Sequence, residues 1–175
     1  GLPADLQKAA FEAKLRPDED TVLWKAEGPR SVCELTVRID TANLKAAARG
    51  LVLRMAFDGQ WTVESPLGDF FGTAPGLIPY ESLPLGMTED GEMWCRFRMP
   101  FAKSAEIRLR NLSSQEATVR GTASSVPAKL DDKTLNGERV AVADELARRV
   151  DVETTRAAFQ DGELLPTRQA RAKDE

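Results

Sequence analysis

The chain has 175 residues, 42% of them hydrophobic, and a formal net charge of −4. That length supports one domain with a full core plus appendages, and the acidic balance argues against a nucleic-acid partner, which calls for a basic patch. No run reaches the roughly 18 apolar residues that span a bilayer, so no membrane partner is expected. Histidine is absent, which removes Ser-His-Asp and Cys-His catalysis and His-ligated zinc or copper. Cys33 and Cys95 are too few for a thiolate cage. No metal or other cofactor is expected, and any chemistry falls to carboxylates, Lys, Arg, Tyr, Ser or Thr.

Residues 1–21 read as a helical arm. Leu2, Leu6, Ala9 or Ala10 and Ala13 recur at helical spacing, and Pro17 with Asp18-Glu19-Asp20 ends the run. From Val22 the period changes to two. Leu35, Val37 and Ile39 alternate with Glu34, Thr36, Arg38 and Asp40, the pattern of a strand with one wet face. Residues 41–49 fit either a loop or one helical turn. Leu51 to Phe57 is a second strand, and Asp58-Gly59 is a hairpin signal, since that pair tolerates positive φ.

Trp61 and Val63 fall on one side of the next strand at a period of two, and Pro66 ends its ladder. Gly68 and Gly72 bracket a bend that holds Asp69, Phe70 and Phe71. Two adjacent phenylalanines in a loop either plug the core beneath a tight turn or floor a concave site beside an acid. A Pro- and Gly-rich passage from Ala74 to Gly86 carries Tyr80 and Glu81, and long connections of this kind are often functional. Asp90-Gly91 opens a hairpin into a strand from Met93 to Met99, closed by Pro100. Ala105, Ile107 and Leu109 alternate with Glu106, Arg108 and Arg110 in another strand, and Ala117 to Val126, anchored by Val119, makes the last. Strands of this length with hairpins and long links describe an all-β sandwich over residues 22–128. Residues 129–175 are charge-rich, with a helix expected at 139–150 and disorder in the remainder.

Cys33 and Cys95 both lie in strand-like stretches, as buried thiols or as a disulfide between neighbouring strands. Arg96 and Arg98 flank Phe97, and Arg108 and Arg110 repeat the arrangement. They fit a charged outer sheet face or a grip on an anionic ligand or a neighbouring subunit. Asn111-Leu112-Ser113 matches a glycosylation acceptor, a triplet that also arises by chance.

The run from Asp58-Gly59 through Pro66-Leu67-Gly68-Asp69-Phe70-Phe71-Gly72 to Met99-Pro100-Phe101, Lys103-Ser104-Ala105 and Asn111 resembles domain-of-unknown-function family 2961, counted as glycoside hydrolase family 172. That family includes enzymes that make and hydrolyse difructose anhydrides and act on related furanosides. The resemblance covers roughly residues 28–122. It implies a single jelly roll, carbohydrate as partner, a metal-independent retaining mechanism and assembly into trimers or multiples of three. Family members carry two jelly rolls in tandem; only the first is matched, and the family's catalytic glutamates fall outside the match. Catalysis by this chain alone is therefore in question, and a non-catalytic glycan-binding or oligomer-assembling module is the alternative.

Retaining hydrolysis requires two carboxyls about 5 Å apart. The candidates for that role are Glu64 and Asp69, five residues apart across the Pro-Leu-Gly bend. Asp69 equally serves as a brace for backbone amides of the turn, and Glu64 as a solvated strand residue. Trp61, Phe70, Phe71 and Tyr80, with Glu81, are the expected sugar-contacting set, with Trp61 equally suited to the core.

Overall fold

A computed structural model describes residues 5–73 and 77–129. Its strands build two antiparallel sheets. The larger runs in the order β1 (Gln7–Leu15), β11 (Ala117–Pro127), β3 (Arg30–Asp40), β8 (Met93–Cys95), β7 (Leu85–Met87) and β6 (Tyr80–Glu81), with β9 (Met99–Phe101) also paired to β3. The smaller runs β2 (Asp20–Glu27), β10 (Ser104–Asn111), β4 (Leu51–Phe57) and β5 (Gln60–Pro66). The chain crosses between sheets from β1 to β4, turns back at the β4–β5 hairpin, and returns. As a result β10 falls between β2 and β4, and β11 between β1 and β3. That interleaving is the jelly-roll form of the β-sandwich.

Period-two patterning explains the layers. Leu35, Val37, Val119 and Ala123 from the larger sheet face Leu51, Leu53, Met55, Ile107 and Leu109 from the smaller, all buried in one core. Asp58 and Gly59 take φ of 53° and 81°, both left-handed, the requirement of a tight turn whose twist matches its strands. Gly91 does the same at 87° between β7 and β8.

Three readings of the sequence need correction, and one left open is resolved. The expected N-terminal helical arm is β1, held along its whole length by nine registered pairs with β11. Phe11, Ala13 and Leu15 alternate toward the core while Lys8, Glu12 and Lys14 face water, and helix-favouring alanines masked that period. Residues 41–49 do form a helix, α1 (Leu44–Gly50), whose first turn is capped where Asn43 Oδ1 accepts from the Ala46 amide at 3.1 Å. The strand expected from Met93 to Met99 is broken at 96–98, and Pro100 lies inside β9 rather than after its end. The Ala74–Gly86 connection carries β6 and most of β7 instead of running as a loop throughout. The helix expected at 139–150 and the disorder beyond it lie outside the described residues.

Candidate functional site

The Gly68–Gly72 bend is built as a core plug. Leu67 opens a single helical turn, α2 (Leu67–Phe70), and both Leu67 and Phe71 are fully buried. Gly68 lets α2 sit against α1, because a side chain there would come within 3.3 Å of the Ala48 methyl. Phe70 meets Phe71 edge to face at 5.0 Å. The Tyr80 hydroxyl donates to the Phe71 carbonyl, and burial, then the nearby Cys95, pushes its ionisation upward. Phe71 is therefore not a sugar-stacking surface: its ring belongs to the core. Tyr80 works as a strut across the bend, since its hydroxyl is committed to backbone.

Asp69 accepts from Arg49 Nη1 at 2.7 Å and so ties α2 to the last turn of α1. Glu64 lies on β5, where Arg54 is its cross-strand partner at 3.5 Å, and its side chain is 65% exposed. The two acids thus answer to different arginines on different elements, and neither is enclosed by apolar side chains. Glu81 is exposed on the short edge strand β6, opposite Gly86. Phe70 is half-buried against the core.

Trp61 behaves differently. Met55 pairs with Val63 and Ala56 with Trp61, which leaves Thr62 as an extra residue in a β-bulge. The bulge separates Trp61 from Val63, placing the indole on the outer face beside Ala56 while Val63 packs on the core. Trp61 is 48% exposed. The Arg54 guanidinium covers one side of it at 4.3 Å from the centroid.

Arg54 is the residue the sequence reading missed. It occupies the single polar position in Leu51-Val52-Leu53-Arg54-Met55, and that break in an apolar strand was the available signal. Asp20 accepts from Arg54 Nη1 at 3.1 Å and from Arg108 Nε at 2.7 Å. Glu106 in turn pairs with Arg108 at 2.8 Å and Lys25 at 3.1 Å. Arg108, and then Lys25, hold the Glu106 carboxyl below the usual carboxylate range. The outer face of the smaller sheet is thus a charged lattice with one indole at its edge. Such a surface can seat a flat-sided polar ligand against the ring and bind its hydroxyls through Glu64 and Arg54.

Arg96 sits in the 96–98 break and reaches Glu34 at 3.1 Å, so the two arginine pairs do not repeat one arrangement. Cys33 and Cys95 are free thiols, and burial raises the ionisation of both. Asn111 is fully buried; its amide donates to the Leu15 and Gln115 carbonyls at 3.1 and 2.8 Å, and it is not a glycosylation acceptor in the folded chain. Among the described residues no group of three or more Cys, Asp and Glu could hold a metal ion.

A family model described as GH172 domain-like matches residues 5–123, more than half of the chain. No curated protein matches.

Proposed function

Because the chain belongs to the GH172 domain-like family, we propose that it is a carbohydrate-active jelly-roll module that holds a furanoside-containing glycan on the outer face of its smaller sheet. The observation that carries this reading is Trp61, half-exposed on a bulged edge strand, braced on one side by Arg54 and flanked by Glu64. Sugar rings present C–H faces that lie on an indole, and their hydroxyls take the charged neighbours. Cleavage needs a second carboxyl opposed to the first across the glycosidic bond, and here Glu64 and Asp69 are each paired with a different arginine, Arg54 and Arg49. A second jelly roll or a neighbouring subunit of a trimer would supply it.

Titrating the purified chain with arabino- and fructo-oligosaccharides by calorimetry tests the reading. Loss of one saturable site in Trp61→Ala supports it, and no binding to any furanoside refutes it. Turnover of aryl furanosides lost in Glu64→Gln or Asp69→Asn would instead make the chain a catalyst by itself.

A second reading, assembly without glycan, is favoured by Leu83 and Phe97, 90% and 49% exposed. Their loops adjoin, since the Arg96 amide donates to the Pro84 carbonyl at 2.7 Å. Light scattering that gives a trimer in the wild type and a monomer in Leu83→Glu supports it.

A further inference from the structure

We propose a second glycan site, on the outer face of the larger sheet; it rests on the carbohydrate reading above but uses none of the same residues. The strand register lines up one row across that sheet: Ala10 opposite Thr122, Thr122 opposite Thr36, Thr36 opposite Trp94, and Trp94 opposite Gly86. Leu35, Val37, Ala123, Met93 and Cys95, the neighbours in sequence, all face the core. The row therefore lies on the opposite, solvent-facing side. A hollow of about 530 Å³ opens over its Ala10–Thr36 end, a volume in the range of small-molecule sites.

The lining selects the class of ligand. Arg38 and Arg120 are balanced within the lining by Glu12 and Glu92. Arg38 is further paired with Asp90, and Arg120 with Asp40 at 3.1 Å. A balanced set of this kind does not favour an anion; it offers donors and acceptors to a neutral polyol. Two hydroxyls, Thr36 Oγ1 and Thr122 Oγ1, stand 2.9 Å apart at the centre, and the Thr36 oxygen also accepts the Thr122 amide at 3.1 Å.

Next along the row is a flat ring. Trp94 lies across Gly86, where even a methyl group would meet the indole at 2.0 Å. The absence of a side chain at Gly86 lets the ring lie down against the sheet instead of standing off it. Its indole N–H is buried and has no acceptor among the described residues, and the Arg96 guanidinium lies over the ring at 5.4 Å from its centroid, adding a planar donor to the row. Hydroxyls, planar charged groups and a recumbent indole in one transverse line suit an extended oligosaccharide lying across the strands.

The test is calorimetric titration of the full chain with short arabino- and fructo-oligosaccharides, using Trp61→Ala, Thr122→Val and Arg120→Ala. Thr122→Val removes a hydroxyl at nearly constant shape, and Arg120→Ala alters only an exposed side chain should the first variant perturb folding. The expected result is two sites per wild-type chain and one in Trp61→Ala. The remaining site weakens by about tenfold or more in either of the other variants, the loss expected for one or two hydrogen bonds. Complete loss of binding in Trp61→Ala alone overturns this second site and leaves the first. Binding that survives Trp61→Ala but not Arg120→Ala keeps the second site and removes the first. No binding to any furanoside removes both. A dimer that Arg120→Glu dissociates would make this face a contact between copies and overturn the proposal.

Discussion

Asp58 connects the tight β4–β5 turn to a turn distant in sequence, and replacing it gives the clearest test of how the smaller sheet is held. Its carboxylate accepts the Ala102, Lys103 and Ser104 amides at 3.0, 2.6 and 3.1 Å, while its own amide donates to the Ser104 carbonyl at 2.7 Å. The side chain thus clamps the β4–β5 hairpin to the turn between β9 and β10. Hydrogen bonds to a charged group are worth about 1.5–3 kcal/mol each when sheltered, but this residue is exposed, so solvent reduces the three together to about 2 kcal/mol. Asp58→Ala also places a less tolerant residue at φ 53°, adding about 1 kcal/mol. The total of about 3 kcal/mol lowers the melting temperature by roughly 10 °C for a domain of this size. Asp58→Asn tolerates the backbone and keeps one acceptor, and loses about half as much. The pH dependence has a defined sign. Burial of the carboxyl opposes its ionisation, but the three amides outweigh it and hold it below the usual value. With its folded value depressed, the group adds stability above its unfolded value near pH 4, and that contribution is lost as pH falls through the folded value. Subtracting the Asp58→Asn melting curve from that of the wild type isolates this contribution from the other acids. A difference that stays constant from pH 6 down through that window would refute the reasoning, as would an unaltered melting temperature in Asp58→Ala.

Phe71→Ala empties a fully buried site and should cost about 3–5 kcal/mol by chemical denaturation, whereas Phe70→Ala, at a half-buried position, should lose clearly less. Equal losses would contradict the placing of Phe71 as the plug. Asn111→Ala leaves the buried Leu15 carbonyl without its donor and should cost about 2–4 kcal/mol; expression in a glycosylating host should leave the intact mass without a glycan on Asn111. Gly86→Ala forces the Trp94 ring off the sheet, because the added carbon meets it at 2.0 Å. The expected outcome is about 1–3 kcal/mol of destabilisation with a changed tryptophan signal in near-ultraviolet circular dichroism, and an unchanged spectrum would show that the ring does not lie there.

The parts of the fold legible in the sequence are those where one physical signal acts alone. Alternation in β3 and β10 gave the two central strands, and Asp-Gly at 58–59 and 90–91 gave two turns, because nothing else competed at those positions. β1 was obscured by alanines, which favour helix while fitting a strand edge. The bend was legible as a special feature, but two readings shared its residues. Only burial of Phe71 and the Tyr80 hydrogen bond separated them, and both depend on partners distant in sequence.

Trp61 went astray for a subtler reason. A period of two assumes that no residue is added on one strand, and the extra Thr62 breaks that assumption without leaving a Gly or Pro to announce it. Deleting Thr62 tests this directly. Simple alternation has Trp61 beside Val63 on the core face in the wild type and moves it outward on deletion, with a red shift of its emission. The observed register has Trp61 outside already, opposite Ala56, and deletion merely regularises the ladder. Its emission should therefore stay that of an exposed indole, and the melting temperature should hold or rise as the bulge is removed. A strong red shift on deletion would place Trp61 in the wild-type core and withdraw the platform on which the smaller sheet is proposed to hold its glycan.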